Sequence, residues 1–422
     1  MTQPVVFFRP RDIRRSFLLA LLLVANPFSP LSPAACSGDD DDDNPPVVTD
    51  DDDDGPVNPE RPAYNEWLKV EPEGAVCGNN TQYKFFINYS ETSDNVLFVL
   101  EPGGACWDFD SCSGRTRGAA NPDGIPDDHM VGPWAIHTPL FLREWGHWMP
   151  GEDVRTSDWN FVFIPYCTGD IHAGNNVITY PDPQGLEPDI TFHHNGHNNV
   201  QKVIDWVGQQ FPALPELMVA GCSAGGTGSL ANYYFFRKGL PQTQRGYMLN
   251  DSGPIFPEGA SGYSKPLHDK VRLSWNVDSY LPQQFDWTDF GNISLIVADE
   301  FPHDRLGITY FRRDYNYSLY SYESFYNYPD KGEIHRMWWE DTKLLMTQYD
   351  TRDNLAYYIP YFRSLNDSHC VMIVSYTGTE IQEKGVNLSN FIQNILDDSQ
   401  PLQSYLETPQ PNEDQPQIEY DY

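Results

Sequence analysis

A chain of 422 residues can bury a full core, and 40% hydrophobic with 14% aromatic content excludes wholesale disorder. With 27 Lys and Arg against 60 Asp and Glu, the formal charge is −33. That balance excludes a nucleic-acid binder, which depends on neutralising phosphates, and argues against unaided adhesion to anionic lipid. At the amino terminus Arg9, Arg11, Arg14 and Arg15 precede a short apolar run over 17–25, and small and proline residues lead to Ala34-Ala35-Cys36. A positive region, an apolar core and a small-residue exit predict an export signal over residues 1–35. The run is shorter than the ~20 residues a mature transmembrane helix needs.

Residues 36–60 are dominated by two Asp runs around a Pro-Pro pair, whose mutual repulsion predicts an acidic flexible tether. A cysteine at the end of an export signal, followed by such a tether, resembles a bacterial lipoprotein. Pro33 stands where that pattern usually has Leu. The resemblance implies membrane attachment through a lipidated Cys36 at the outer membrane or cell surface. Cleavage and release as a secreted or periplasmic protein is the alternative. Cys77, Cys106, Cys112, Cys167, Cys222 and Cys370 then form an even set suited to disulfides in an oxidising compartment. Cys106 and Cys112 are close enough in sequence to pair locally; the other partners stay open.

The body, residues 61–398, reads as a single domain. Short uninterrupted apolar runs end in glycine and polar residues: 95–100, 160–165 and 217–220, then 246–250, 306–311 and 354–362. Such runs are what strands of a parallel sheet covered on both faces require. Helical spacing over 198–210, with Asn198 or Asn199 as cap, over 230–236 and over 388–396 supplies crossovers. The expected fold class is α/β, an α/β-hydrolase-like open, mainly parallel sheet covered by helices; a TIM barrel is the competitor. Residues 399–422, rich in Pro, Gln and acid, read as a loose tail.

Gly221-Cys222-Ser223-Ala224-Gly225 follows a strand pattern and precedes a helical one, the setting of a nucleophile elbow. A serine hydroxyl needs an imidazole to take its proton and an acid to orient that imidazole, in the chain order Ser, Asp or Glu, His. His369 is the last histidine and lies on a loop after a strand run; His335 is the runner-up. Asp314 follows the 306–311 run and is preferred over Asp251 and Asp304. The glycines before Cys106 offer backbone N–H groups to a developing oxyanion, so Gly104, Ala105 and Ala224 are the oxyanion-hole candidates. Trp107, Trp134, Asp170 and His172 are pocket candidates.

The motifs EPGGACWD (101–108), PYCTGDIHAG (165–174), GHNN (196–199), GCSAGG (221–226), DSGP (251–254) and SHC (368–370) together resemble the pectin acetylesterase family over roughly residues 70–396. That family also contains a palmitoleoyl-protein carboxylesterase. The resemblance implies a Ser–Asp–His triad, an exported enzyme, and no metal or other cofactor. Carried over by position, the nucleophile falls on Ser223, the base on His369 and the acid on Asp314. The expected activity is a serine carboxylesterase removing O-acetyl groups from a polysaccharide such as pectin. The alternatives are a long-chain acyl or lipid esterase or protein deacylase, and a non-catalytic glycan-binding protein on the same fold, suggested by 25 Tyr and 11 Trp.

Overall fold

In the computed structural model the described residues are 66–116, 118–130, 154–259, 262–285, 288–363, 365–374 and 379–409. The export signal, Cys36, the acidic tether and Trp134 lie outside them.

Among the described residues nine strands form one sheet: β1 (Trp67–Val70), β2 (Phe85–Asn88), β3 (Val96–Leu100), β4 (Asn160–Ile164), β7 (Glu216–Cys222), β8 (Arg245–Asp251), β9 (Arg305–Thr309), β10 (Leu355–Ile359) and β11 (Tyr405–Leu406). Their order is β1-β2-β4-β3-β7-β8-β9-β10-β11. The β1–β2 and β2–β4 pairs are antiparallel and every later pair is parallel. Two distinct edges, β1 and β11, make this an open α/β sheet, and the barrel is excluded. A separate antiparallel pair is formed by β5 (Asn176–Tyr180) and β6 (Ile190–His194).

The physical reason for the parallel core is visible strand by strand. All five residues of β3 and all five of β4 are buried, so neither strand can face water on either side. Helices provide the cover: α1 (Gly196–Gln210), α2 (Ala224–Gly239), α3 (Lys265–Trp275), α4 (Ile293–Glu300), α5 (Tyr315–Tyr322), α6 (Lys331–Tyr349) and α7 (Leu388–Leu396). In α1 the residues Val200, Val203, Ile204 and Val207 point into the core, as their spacing predicts. That helix begins earlier than its sequence suggests, with Asn195 at the cap position. The supposed cap Asn199 is instead buried, and its amide exchanges hydrogen bonds with the backbone of Val76 at 3.1 and 2.9 Å.

Part of the stretch expected to be a loose tail is sheet. Tyr405–Leu406 adds as a parallel edge strand to β10. Beside it the buried Glu407 accepts a hydrogen bond from the Tyr361 N–H and pairs with Arg363 at 3.0 Å. A two-residue strand carries almost no hydrophobic signal, which is why composition alone misread it.

The strand tips converge. In register, Leu100 of β3 lies beside Gly221 of β7, Cys222 beside Asp251 of β8, and Asp251 beside Thr309 of β9. Loops leaving these neighbouring tips, about 4.8 Å apart per strand, are brought to one rim of the sheet.

Candidate active site

At the end of β7 the chain turns sharply. Ser223 adopts φ 56° and ψ −122°, a conformation that costs a non-glycine residue energy and persists only where its surroundings hold it. Its N–H donates to the Asp251 carbonyl at 2.8 Å. The flanking glycines are needed for space. A Cβ on Gly225 would lie 1.9 Å from the Leu100 carbonyl oxygen, and one on Gly221 would lie 2.4 Å from the Gly225 oxygen. α2 starts directly after the serine, so the first N–H groups of a 16-residue helix, beginning with Ala224, have no acceptor within the helix.

The loop after β3 is fastened from beneath by a buried carboxylate. Glu101 accepts from the Tyr166 N–H at 2.7 Å, from the Asn121 amide at 3.0 Å, and lies 3.1 Å from His129 Nε2. The chain then passes Gly104, whose φ of 73° suits glycine and where a Cβ would strike the Tyr320 hydroxyl at 2.6 Å. Cys106 closes a disulfide with Cys112, and its carbonyl accepts from Trp275 Nε1 at 2.8 Å. Gly104, Ala105, Ser223 and Ala224 all line one cavity.

Asp314 caps α5. Its Oδ1 accepts from the Tyr317 N–H at 2.9 Å, and its Oδ2 receives His369 Nδ1 at 2.7 Å. Both side chains are buried. With Nδ1 carrying the proton toward the carboxylate, Nε2 is left as the basic nitrogen. Burial pushes the Asp314 carboxyl above its ordinary value, against the opposing pull of His369. For His369 burial acts downward, but the charge of Asp314 and its hydrogen bond outweigh it, so the imidazole holds its proton more tightly than usual.

Three further contacts fix the histidine loop. Cys370 N–H donates to Ser252 Oγ at 3.0 Å, and the N–H groups of Val371 and Met372 each donate to an Asp251 carboxylate oxygen at 2.9 Å. Cys370 is also bonded to Cys222, so the residue after the histidine is joined covalently to the residue before the serine. A His369 ring nitrogen and both sulfurs lie within 4.8 Å of one another. Asp251, the second choice for the acid, thus holds the loop's backbone and not the imidazole. Asp304 lies at the opposite rim, where it pairs with Arg237 and accepts from the N–H of Gly246 near the start of β8. His335 sits within α6, where burial lowers its pKa to about 4.

The cavity beside Ser223 has a volume of about 110 Å³ and walls that are mostly apolar, including Trp107, Ile171, Phe256, Val271, Trp275 and Tyr280. Trp107 is where the sequence suggested. Asp170 and His172 are not pocket residues. Neighbouring Ile171 and Ala173 line the cavity, while Asp170 turns inward to Thr168 and the N–H of Gly196 and His172 to the Glu101 carbonyl. Sequence reasoning missed α3, which builds one wall. Leu267, Val271 and Trp275 recur every four residues, a helical signal that could have located it.

Residues 67–261 match the Pectinacetylesterase family model. Pectin acetylesterase 4 of Arabidopsis thaliana is 25% identical over 222 residues, covering 51% of this chain and 50% of that protein. Palmitoleoyl-protein carboxylesterase notum2 of Xenopus laevis is 24% identical over 226 residues, covering 53% and 39%. The alignments therefore span half or less of these relatives' own length. Among solved structures the Wnt deacylase Notum from Drosophila superposes with a TM-score of 0.51 at 18% identity, covering 82% of this chain and 98% of that one. That likeness supports the α/β-hydrolase-like fold.

The Cys222–Cys370 bond closes a loop with a sequence separation of 148. Replacing both cysteines by Ala is expected to cost about 3–5 kcal/mol in denaturant unfolding. It is also expected to speed amide hydrogen exchange over 369–372 before global unfolding. Unchanged exchange there would show that the bond plays no part in holding this segment.

Proposed function

We propose that this chain, which resembles the pectin acetylesterase family over residues 67–261, is a serine-dependent carboxylic ester hydrolase. The observation that carries the reading is the buried Asp314–His369 hydrogen bond, tied through Cys222–Cys370 to a strained serine turn at a helix N-terminus. His369 Nε2 takes the Ser223 proton as the oxygen attacks the ester carbonyl. The N–H groups of Gly104, Ala105 and Ala224 receive the oxyanion, and Asp314 stabilises the imidazolium. The imidazolium protonates the departing alcohol, and the neutral imidazole so formed takes a proton from the water that attacks the acyl-enzyme and frees the acid.

The acyl group is proposed to be larger than acetyl. The 110 Å³ cavity beside Ser223, apolar over most of its lining, offers more room than an acetyl methyl needs and suits a longer apolar acyl group. The pectin acetylesterase among the relatives favours the second reading, an O-acetyl ester of a polysaccharide. A formal charge of −33 disfavours a polyanionic polymer as the alcohol part and suits a neutral one. Three disulfides support work in an oxidising compartment, and the Arg-rich leader with Cys36 supports export with lipid attachment.

p-Nitrophenyl esters from acetate to palmitate are expected to show a kcat/KM maximum between C4 and C8. Ser223→Ala should lower kcat by about 10⁵-fold or more with folding intact. It should also abolish labelling by a fluorophosphonate. A maximum at acetate would favour the second reading; activity and labelling unaffected by Ser223→Ala would remove the nucleophile, and neither in the native chain would leave a binding protein.

The pH profile carries its own sign. His369 acts only when Nε2 is free, and Asp314 raises its proton affinity, so kcat/KM should climb with pH through a midpoint above the ordinary ~6.5 of histidine. In Asp314→Asn the raising charge is gone while burial persists. The acid limb should then move to lower pH, with kcat down about 10⁴-fold. An acid limb that stays in place would detach Asp314 from His369.

A further inference from the structure

Among the described residues, the apolar cavity is lined by an imidazole that the proposed reaction does not use. His268, on α3, lines the cavity and is 7% exposed. Its Nδ1 lies 3.1 Å from Glu258 Oε1, and that carboxylate is in turn 3.2 Å from the Lys265 ammonium. The edge of the ring contact is closed by Phe290, with centroids 5.5 Å apart. Nε2 makes no hydrogen bond among the described residues. With Nδ1–H donating to Glu258, Nε2 presents a lone pair and calls for an O–H donor. Nε2 is open to the cavity, so a ligand seated there can supply the donor that no described protein group provides.

The position of His268 along α3 sets how far that donor must be from the reacting carbonyl. Trp275, at the far end of the same helix, donates from its indole to the Cys106 carbonyl, beside the oxyanion loop. Seven residues of helix separate the two, about 10 Å along the axis at ~1.5 Å each. Between them run the aromatic and aliphatic walls.

Resting on the esterase reading above, we propose that His268, held by Glu258, is the polar end of the acyl pocket and selects acyl groups bearing a hydroxyl roughly 8–10 Å from the ester carbonyl. Aromatic acyl groups with a para-hydroxyl, such as p-hydroxycinnamoyl, and aliphatic ω-hydroxyacyl groups of about eight carbons share this chemistry. The aromatic walls Trp107, Phe256, Trp275 and Tyr280 favour the flat aromatic form.

Matched pairs differing only in the hydroxyl test it: methyl p-coumarate against methyl cinnamate, and methyl 8-hydroxyoctanoate against methyl octanoate. The native chain is expected to favour the hydroxylated member by about tenfold or more in kcat/KM. The first pair should give the larger absolute rate. Ser223→Ala protein, titrated calorimetrically with the same esters, should show the same preference in Kd. In His268→Leu the ratio should fall to near one. A ratio near one in both native turnover and Ser223→Ala binding overturns the proposal, and needs no folded His268 variant to do so. If the native chain hydrolyses none of the esters while Ser223→Ala still prefers the hydroxylated ones, the hydrolase reading fails and the recognition role of His268 stands.

Discussion

The close approach of α2 to β3 governs the geometry of the site. Gly225 sits against the Leu100 carbonyl with no room for a Cβ, which sets the first turn of the helix directly on the neighbouring strand. That contact holds Ser223 in a backbone conformation it would not choose alone, and it places the helix start, with Ser223 and Ala224, on the same cavity as the Gly104 loop. Strain at one residue is sustained because β3 and all of β7 after Glu216 are buried in close packing. Position and electrostatics come from one packing event.

The histidine is held by a different strategy. It lies on a loop after β10, far along the chain, and no regular element carries it. Instead its neighbours are pinned to the tip of β8: two N–H groups on the Asp251 carboxylate, one on Ser252 Oγ, and a disulfide to the elbow. Burial pushes the Asp251 carboxyl up to about 6, and the N–H donors work against that. Two acids near one imidazole thus divide the labour: Asp314 meets the ring and Asp251 meets the backbone that carries it.

How much of this was readable beforehand follows from the range of each interaction. The core strands were legible because complete burial leaves continuous apolar runs, and the serine turn because its glycines answer to a steric need within five residues. The approach of Asp314 to His369 was inferred from chain order, which sheet topology preserves. Cys222–Cys370 was not readable, since a bond across such a separation leaves no local trace. Asp251 stayed a lower choice for the acid for a related reason: a carboxylate at a strand tip looks the same whether it serves a ring or a backbone. β11 and the short edge strands were lost because their stability comes from neighbours and not from their own residues. Asp170 and His172 were placed in the pocket because one-residue alternation, which decides which side chain faces inward, is invisible in an irregular loop.

The covalent tie between the elbow and the histidine loop has a consequence for how the protein comes into being. Apart from the disulfide, hydrogen bonds to Asp251 and Ser252 fasten the histidine loop to the tip of β8. Sulfur–sulfur bond formation then adds a covalent tie between the segments that carry Ser223 and His369. The fastening therefore depends on the redox state of the surroundings, since a thiol-rich compartment leaves the two cysteines unjoined.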